Sequence, residues 1–596
     1  MKLFTPFRLG DVRLKNRIVM APMITGFAEK DSSVSQKMID YYVRRAKGDC
    51  GLIVVEGTSI EPIYHLPGGL RIDQDQYITG MSKLASAIKA AGAHVILQLA
   101  HCGKQSPSLF FDQQPVAPSA VPDPAFNEMP RALEISEIEQ LVGLFVRGAV
   151  RVKEAGFDGI EIHGAHGYLI SEFLSPYDNI RTDKYGGDTQ GRTLFPRQII
   201  KGIREALGEF IISFRISAEQ YTDGLHLQEA KAIVPLLEDA GADVIHVTAG
   251  RYSTREWMIQ PMTLPQGCLV PLAAQIHRVA RKPVICVGRI GTPDLAEQIL
   301  QEGHADLVAL GRPLFADPDW PIKAREGKAH MIRPCVGCNT CLDNVYKPRP
   351  LKCSFNPELG HGQALELQVV SEPKKVLVVG GGPGGMEAAR SLAMLGHQVA
   401  LWEKSDRLGG QLILAMAAPG REEFKYEIDY YRRELERLGV NVKLEHEATV
   451  ESILREAPDA VILATGVIPT NPAIPGVEDP HVAKAHDVLA GIAQAGEQVV
   501  VIGGAYTGCE TARFLAAQGK KVTLLRRGSR IAAEAGWSGR PHIMESLKAL
   551  GVESVTRVQY KRIDKDGVHI TISGDNHFFP AETVVMATGV KPNRNL

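Results

Sequence analysis

The chain of 596 residues lacks an excess of either charge, since 67 Lys and Arg face 68 Asp and Glu for a formal net charge of -1. Such a balance provides no field to hold nucleic acid or an anionic membrane, so we expect neither partner. The opening MKLFTPFRLG lacks an apolar core, and no secretory signal is predicted. No uncharged apolar run is long enough to span a bilayer. These absences together predict a cytoplasmic protein.

Cysteine is present in an odd number, nine. We expect buried free thiols of a reducing compartment at the five scattered positions Cys50, Cys102, Cys268, Cys286 and Cys509. The other four form the run C-x-x-C-x-x-C, followed by eleven residues and a last cysteine: Cys335, Cys338, Cys341 and Cys353.

Four thiolates at this spacing suit either a structural zinc ion or an iron–sulfur cluster. The spacing alone leaves both open. The run lies between two segments with cofactor-binding signatures, described below, and zinc carries no electrons. The surroundings therefore favour a 4Fe-4S cluster that relays electrons between two redox centres.

A chain of this length is too long for one core and predicts two to four domains. Residues 1–330 alternate short apolar strands with amphipathic helices, which predicts an α/β fold, a (β/α)8 TIM barrel with its chemistry at the strand C-termini. A doubly wound open sheet is the competitor, but it would not need so many repeats. The Pro-rich residues 331–372 form an irregular iron–sulfur segment. The eight expected strands are 18–23, 51–57, 94–101, 158–164, 210–217, 243–250, 284–290 and 306–312.

Residues 373–495 open with a strand, a glycine turn, a helix and a second strand that ends at Glu403. This context makes Gly380-x-Gly382-x-x-Gly385 a dinucleotide fingerprint in which backbone approaches a pyrophosphate and Glu403 accepts from a ribose. The segments 407-RLGGQL-412 and 459-DAVILATG-466 resemble those that complete an FAD site. We therefore predict an FAD-binding domain, with further contacts from Arg407, Gly410 and Gln411.

Residues 496–590 begin a second nucleotide fold, with the fingerprint Gly503-x-Ala505-x-x-Gly508. The alanine at its middle position would crowd a pyrophosphate unless the turn shifts. Arg526 and Arg527 follow the next strand, and guanidinium groups suit a 2′-phosphate, so NADPH is favoured over NADH. The competing interpretation is a solvated basic turn. The chain ends soon after a second Ala-Thr-Gly, so the C-terminal part of the FAD-binding domain is expected to be missing.

Over its whole length the chain resembles the Old Yellow Enzyme relatives that carry an iron–sulfur cluster and a disulfide-reductase-like FAD/NADPH module. That family includes 2,4-dienoyl-CoA reductase, 2-enoate reductase and trimethylamine dehydrogenase. The lobe around 525-LRRGSR-530 most resembles the dienoyl-CoA reductases, whereas 161-EIHGAHGYLISEFLSPYDNIRTDKYGG-187 resembles the ene-reductases more closely.

The resemblance implies that His163 and His166 bind a substrate carbonyl and that Tyr168 is the proton donor. Hydride transfer to an activated alkene leaves negative charge on the carbonyl oxygen, which two imidazole donors would stabilise. The α-carbon then needs a proton, which a phenol within reach can deliver. Tyr252 aligns with a histidine of the dienoyl-CoA reductases and is a second donor, a pocket wall or a coincidence of alignment.

The same resemblance places FMN on the barrel, where Gln98 addresses the pyrimidine edge and Arg215 lies near the electron-rich end of the flavin. Two Gly-Arg pairs end the last two strands and would hold the phosphate. The remaining FMN contacts implied are Pro22, Met23, Gly57, Gly288, Arg289, Gly311 and Arg312.

The predicted function is NADPH-dependent reduction of a carbon–carbon double bond conjugated to a carbonyl, carboxylate or CoA thioester. Electrons would pass from NADPH through FAD, the cluster and FMN to this small-molecule substrate. The alternatives are an amine dehydrogenase or demethylase of the trimethylamine dehydrogenase type, and an electron-transfer or redox-sensing flavoprotein. The substrate and the oligomeric state stay open.

Overall fold

The computed structural model describes residues 1–64, 68–347, 349–361 and 368–596. The chain divides into two compact units, Met1–Leu365 and Glu366–Leu596. Within the described ranges, no helix combines the length and the apolar character that a membrane crossing requires. The predicted domain boundaries at residues 330, 372 and 495 stay predictions.

The first unit contains a closed barrel of eight parallel strands. Its first strand pairs with both the second and the eighth, which closes the sheet on itself. All eight strands predicted from the alternating pattern are present, and the TIM barrel is confirmed. In chain order they are Ile18–Met20, Leu52–Ser59, His94–Ala100, Gly159–Gly164, Ile211–Ser217, Val244–Thr248, Val284–Cys286 and Leu307–Leu310.

Amphipathic helices follow the strands and cover the outside of the barrel, because each buries one apolar side against the sheet. The helix Leu194–Leu207, for example, buries Phe195, Ile199 and Ile203. The main helices are Gln36–Lys47, Ile78–Ala90, Ile135–Glu154, Leu194–Leu207, Leu227–Ala240, Val270–His277 and Pro293–Gln301. Shorter helices lie at Ser108–Phe111, Leu169–Leu174, Thr189–Arg192, Arg255–Met258, Pro313–Ala316 and Trp320–Arg325.

The inside of the barrel is apolar at its amino-terminal end, where Leu52, Ile96 and Ile211 share one buried cluster. Further along the strands the inward side chains become polar, beginning with Gln98 and Glu161. The hairpin Phe7–Leu9 and Val12–Leu14 contributes to the apolar cluster. The polar side chains therefore collect toward the carboxyl-terminal mouth of the barrel.

The cysteine segment packs with the barrel unit. Cys341, Leu351 and Leu359 are buried in the same hydrophobic cluster as the barrel helices. The helix Thr340–Val345 carries Cys341 and is followed directly by Tyr346. Two short strand pairings complete this unit: Leu70–Arg71 joins the second barrel strand, and Val116–Ala117 pairs with Arg131–Ala132.

The second unit contains two parallel sheets of the disulfide-reductase type, as predicted. The first sheet holds Lys375–Val379, Gln398–Trp402, Asn441–Lys443 and Ala460–Leu463. The second holds Val482–Lys484, Gln498–Ile502, Lys521–Arg526, Glu553–Thr556 and Thr583–Met586. Antiparallel pairings join Val467–Pro469 to Val590–Pro592, and link Val558–Asp564, Gly567–Ile572 and Asp575–Pro580. The helices are Pro383–Met394, Gln411–Ala415, Phe424–Arg437, Val450–Glu456, Ala485–Leu489, Tyr506–Ala517 and Arg540–Ala549.

Candidate active site at the barrel mouth

The four residues predicted to act on the substrate converge at the barrel mouth. His163 lies in the fourth strand, His166 and Tyr168 follow that strand, and Tyr252 follows the sixth. The ring of His163 lies 5.1 Å from that of His166 and 4.8 Å from that of Tyr168, between centroids. The Tyr168 and Tyr252 hydroxyl oxygens are 2.8 Å apart, at hydrogen-bond distance. All four side chains are buried.

The loop after the fourth strand holds the second histidine through a left-handed turn. His166 has φ +66 and Gly167 has φ +79. The His166 amide donates to Ser217 Oγ at 3.0 Å, and its Nε2 lies 3.1 Å from Thr248 Oγ1. His166 also forms a parallel backbone bridge with Arg251. The ends of three barrel strands therefore fix its position.

Burial sets the protonation of these groups. Burial first, and then the charge of Arg215, lower the pKa of His163 to about 3. The same two causes hold the pKa of His166 well below its usual range. Burial raises the pKa of both Tyr168 and Tyr252 well above 10. At neutral pH the site therefore presents neutral imidazoles and fully protonated phenols, which are hydrogen-bond donors without charge.

A buried ionic network, which the sequence did not reveal, joins the loop that carries Tyr252 to two other loops of the barrel. Arg251 donates to Asp178 at 3.0 Å and to Asp123 at 2.8 Å. Lys104 Nζ lies 2.6 Å from the same Asp178. All four side chains are about 1% exposed. Because Arg251 precedes Tyr252 directly, this network fixes the loop that carries the second phenol.

A second buried network forms the floor beneath the histidines. Glu161 accepts from Gln98 Nε2 at 2.8 Å and from Ser213 Oγ at 2.9 Å, and lies 2.9 Å from His246 Nδ1. Burial would raise the pKa of Glu161, but His246 and Arg215 lower it to about 2. A charged residue in the middle of an apolar strand, as in 158-DGIEIHG-164, was the signal for Glu161.

Some of the predicted FMN contacts lie near this floor, beginning with Arg215, which is in register with His163 and His246 on the neighbouring strands. Arg215 Nε and His246 Nε2 are buried, and neither has a hydrogen-bond partner among the described residues. Gly57 lies at an irregularity in the pairing of the second strand with the third. A Cβ at Gly311 would lie 3.0 Å from Met23 Sδ, so a larger residue there would require the Met23 side chain to shift. A buried cation with donors to spare fits a polar group of opposite charge, such as the pyrimidine edge of a flavin.

The arginines of the two Gly-Arg pairs donate to oxygen atoms of the protein. Arg289 Nη1 donates to the carbonyl oxygen of Pro261 at 2.6 Å. Arg312 donates to Asn339 of the cysteine segment. Gly288 has φ +125 and Arg289 has φ +50, so the strand ends in a tight left-handed turn. That these pairs also bind the FMN phosphate stays a prediction.

The four clustered cysteines line one cavity together with Arg312, Phe315 and Ser354. All four are free thiols. No three or more His, Cys, Asp or Glu side chains of the described residues are placed to hold a single metal ion. Four thiolates suit either a zinc ion or an iron–sulfur cluster. That these cysteines hold a 4Fe-4S cluster stays a prediction.

Glu56, next to Gly57, is a further buried group that the sequence did not single out. Its Oε2 accepts from the Thr25 amide at 3.0 Å and from Thr25 Oγ1 at 2.6 Å. Tyr42 Oη accepts from the Glu56 amide at 2.9 Å. Burial raises the pKa of the Glu56 carboxyl to about 8, so it keeps its proton at neutral pH.

In the second unit the first fingerprint has the expected geometry. Gly380 has φ +111, and a Cβ at Gly385 would lie 1.8 Å from the Gly380 carbonyl oxygen. Glu403 Oε2 accepts from the Gly381 amide at 2.6 Å. Gly410 has φ +49, and a Cβ there would lie 2.9 Å from Gly382 Cα. These close approaches leave a backbone cradle that fits a dinucleotide pyrophosphate.

The two remaining predicted FAD contacts lie just beyond this cradle. Arg407 is paired with Asp406 at 2.8 Å on the surface. Gln411 begins the short helix Gln411–Ala415, directly after Gly410. Their role in FAD binding stays a prediction.

The second fingerprint repeats the turn, with Arg526 at the place where the first has Glu403. Gly503 has φ +116, and a Cβ at Gly508 would lie 1.6 Å from its carbonyl oxygen. Ala505 has φ -84 and ψ -171, close to the φ -75 and ψ 179 of Gly382, so the alanine is not strained. Arg526 donates to the Gly504 carbonyl at 2.6 Å and forms a bidentate pair with Glu534. Arg527 is exposed.

Two family descriptions match the chain in succession. Residues 2–330 match the NADH:flavin oxidoreductase / NADH oxidase family. The chain belongs to that family. Residues 374–596 match the pyridine nucleotide-disulphide oxidoreductase description. The resemblance to Old Yellow Enzyme-like iron–sulfur flavoproteins is thereby confirmed, and the chain is a flavin oxidoreductase with an FMN-type barrel and an FAD/NAD(P)-type second unit.

Similar proteins extend over the whole chain. An NADH oxidase of Thermoanaerobacter brockii is 45% identical and covers 100% of this chain and 93% of its own length. A metal reductase of Desulforamulus reducens is 38% identical over 100% and 94%. A cinnamate reductase of Clostridium sporogenes is 32% identical over 100% and 93%.

Among solved structures, a 2-naphthoyl-CoA reductase in complex with 2-naphthoyl-CoA superposes with a TM-score of 0.95 at 32% identity, covering 99% of this chain and 93% of that one. Histamine dehydrogenase from Rhizobium sp. 4-9 superposes with 0.91 at 28% identity, covering 100% and 90%. The family therefore includes enzymes named for unsaturated acids and enzymes named for amines.

Proposed function

We propose that this enzyme reduces a carbon–carbon double bond conjugated to a carboxylate, a carbonyl or a CoA thioester, with NADPH as the electron donor. The observation that carries the proposal is the pairing at the barrel mouth of two neutral imidazoles with two hydrogen-bonded phenols. Relatives named for cinnamate and for 2-naphthoyl-CoA, both unsaturated acyl groups, support the same substrate class.

The two histidines act on the carbonyl oxygen of the substrate. Negative charge develops on that oxygen when the β-carbon receives a hydride, and preorganised donors stabilise it best in a site without water. His163 and His166 are buried and neutral, so each offers one N–H without the cost of a buried charge. Ser217 and Thr248 hold the turn that aims His166.

Tyr168 then supplies the proton that the α-carbon needs. Its ring lies 4.8 Å from that of His163, between centroids, so a substrate held by the histidine is next to the phenol. Burial raises the pKa of Tyr168, which keeps its proton in place until a carbanion-like carbon is formed beside it. Tyr252 stabilises the phenolate left behind, through the contact of 2.8 Å.

The cofactors proposed are FMN on the barrel, FAD and NADPH in the second unit, and a 4Fe-4S cluster held by Cys335, Cys338, Cys341 and Cys353. When bound, this set would accept a hydride from NADPH at FAD, pass the two electrons one at a time through the cluster, and deliver a hydride to the substrate from FMN. Arg215 and His246 would hold the pyrimidine edge of the flavin through the nitrogens that lack a partner among the described residues. Arg527 would contact the 2′-phosphate, whereas Glu534 already engages Arg526 and weakens the discrimination against NADH.

An amine dehydrogenase is the competing function, and histamine dehydrogenase shares the fold. An amine substrate is a cation and needs a carboxylate or an open aromatic face to bind it. At this barrel mouth Asp123 and Asp178 are neutralised by Arg251 and Lys104. The two phenols engage each other through their hydroxyl groups. These contacts favour an uncharged or anionic substrate.

The test is anaerobic reoxidation of the NADPH-reduced enzyme by a panel of enoyl-CoA thioesters, free enoates and cyclic enones, followed by flavin absorbance. We expect at least one of these classes to reoxidise the flavin at a rate that matches steady-state turnover. Tertiary amines, added to the oxidised enzyme in the same instrument, should leave the flavin oxidised. Bleaching by an amine, with no response to any alkene, would establish the competing function, and no response to either class would support an electron-transfer protein.

A further inference from the structure

Three phenols extend in a row from the barrel mouth to the cysteine segment. Tyr168 and Tyr252 share the contact of 2.8 Å, and the ring of Tyr346 lies 6.3 Å from that of Tyr252, nearly perpendicular to it at 85°. Tyr346 directly follows the helix Thr340–Val345, on a different segment from both partners. The row is therefore a product of the fold and not of local sequence.

One end of the row is exposed and the other two phenols are buried. Tyr168 is 7% exposed and Tyr252 is 4% exposed, whereas Tyr346 is 38% exposed. The inner two phenols have little access to water, and Tyr346 is the one of the three with a substantial exposed surface. The exposed end gives the row a direction, from water at Tyr346 inward to Tyr168.

The proposed function does not explain how Tyr168 regains its proton. Each reduced alkene takes one proton that a hydride does not supply, so Tyr168 must regain a proton from water after every turnover. A buried phenolate is costly, which is why burial raises the pKa of Tyr168 well above its usual range. A route for the returning proton has to exist on the protein side.

The electrostatics of the three groups suit such a route. The phenols of Tyr168 and Tyr346 each raise the pKa of Tyr252, after the larger effect of burial. A side-chain hydrogen bond with Tyr252 lowers the pKa of Tyr346, against the larger effect of burial, which raises it. Because an ionised phenol raises the pKa of its neighbour, the loss of one proton among the three disfavours the loss of a second.

We propose that Tyr346 and Tyr252 form a proton relay that returns a proton from water to Tyr168 after each reduction. Water gives a proton to Tyr346 as Tyr346 gives its own to Tyr252 and Tyr252 gives its own to the Tyr168 phenolate. Each O–H bond that breaks is replaced by one that forms, and one proton from water is consumed per alkene. The inference rests on the proposed function, because that function makes Tyr168 the donor, and it assigns to Tyr346 a positioning role at a distance from the substrate.

The relay separates two events that a simple donor would combine. In the holoenzyme with Tyr346→Phe, Tyr168 still holds its first proton, so reoxidation of the reduced flavin in a single turnover should keep near the wild-type rate. Proton uptake from water should then lag behind it by about tenfold, less than the roughly 10²–10⁴-fold that a positioned general acid contributes. Stopped-flow absorbance follows the flavin, and a pH-indicator dye in weak buffer follows the proton in the same mixing experiment.

Tyr221→Phe is the matched control, because Tyr221 is equally exposed at 38% and its ring stacks on Trp257 at 3.9 Å between centroids. In this control, proton uptake should keep pace with flavin reoxidation. In Tyr346→Ala, which opens space beside Tyr252, added imidazolium buffer should restore proton uptake in proportion to its concentration.

Two results would overturn the relay while the proposed function stands. One is proton uptake in Tyr346→Phe that keeps pace with flavin reoxidation, with Tyr168→Phe still slow in single turnover. The other is a lag that imidazolium does not shorten in Tyr346→Ala, which would assign Tyr346 a structural role only. If Tyr168→Phe reoxidises at the wild-type rate, the failure lies with the proposed donor itself, and the relay has no end point.

Discussion

Tyr168 and Tyr252 meet across 84 residues of sequence at the barrel mouth, whereas Glu403 and the turn it contacts in the second unit are 22 residues apart. The barrel site is assembled from the ends of separate strands, and its position depends on the whole fold. The nucleotide turn is complete within one unit of strand, turn, helix and second strand. A substitution in the barrel is therefore expected to affect several chain segments, and one in the nucleotide turn only its own contacts.

The cysteine site is intermediate between these two designs, since three cysteines lie within one short run and the fourth is more distant. Cys338→Ser should give the largest effect and abolish NADPH-driven alkene reduction, because three remaining thiolates do not complete the cluster's ligand set. FMN should stay bound to the barrel and reducible by dithionite. The measurements are iron and sulfide content, cluster absorbance and turnover.

Cys268→Ser is the control, since Cys268 is also partly exposed but is not among the residues lining the four-cysteine cavity. Its iron and sulfide content should match the wild type. Stoichiometric zinc in the native protein, with little iron or sulfide, would contradict the cluster.

Tyr168→Phe tests the barrel site itself. It removes one acidic proton and the contact to Tyr252, so NADPH should still reduce the flavin at its normal rate. Reoxidation by an unsaturated substrate should slow by roughly 10²–10⁴-fold, the usual contribution of a general acid. His163→Ala should also weaken substrate binding, because His163 contacts the carbonyl before and during hydride transfer. If Tyr168→Phe reoxidises at the wild-type rate and Tyr252→Phe reoxidises slowly, the proton donor is Tyr252, which follows the sixth strand.

The two nucleotide turns differ in the charge of one corresponding residue. At the end of the second strand, Glu403 accepts from a backbone amide of its turn, and Arg526 donates to a backbone carbonyl of the other. Replacing Arg526 and Arg527 by Ala should raise the KM for NADPH and spare that for NADH. The loss should be about tenfold, near the low end for charge-assisted contacts, because Glu534 competes for Arg526.

Glu534→Gln should have the opposite effect and lower the KM for NADPH, since it releases Arg526 from a bidentate ion pair. Arg562→Ala, which removes an exposed arginine paired with Asp564, is the control for general loss of positive charge. Equal changes for both nucleotides in the double variant would show that the arginines stabilise the lobe and do not select the phosphate.

The same contrast explains what could be predicted from the sequence. The eight barrel strands and both nucleotide turns were predictable, because apolar periodicity and glycine spacing are local signals. The ionic network of Arg251, Asp178 and Lys104 was not, because its members come from separate loops and each alone resembles a surface charge. The engagement of Arg526 by Glu534 was missed for the same reason, although only eight residues separate them.

The last expected effect concerns Glu56, and it appears in stability as a function of pH and not in turnover. The folded state holds the Glu56 proton up to a pKa of about 8, whereas the unfolded chain releases it near its ordinary pKa of 4.5. Between these two values the native state binds more protons, so Glu56 makes the free energy of unfolding fall as pH rises. The slope for one proton is about 1.4 kcal/mol per pH unit. Glu56→Gln removes this proton while its carbonyl can still accept from Thr25.

The measurement is the difference in free energy of unfolding by urea between Glu56→Gln and the wild type, at several pH values from 5 to 9. The variant should gain relative stability as pH rises from 5 to 8, and the gain should level off above pH 8, where the wild-type carboxyl ionises in the folded state as well. Glu139→Gln is the matched control, because Glu139 pairs with Lys184 on the surface, about half exposed, and should give a flat difference. A flat difference for Glu56→Gln too would mean that this carboxyl is ionised in the folded barrel, and that water or a cation reaches the second strand beside Gly57.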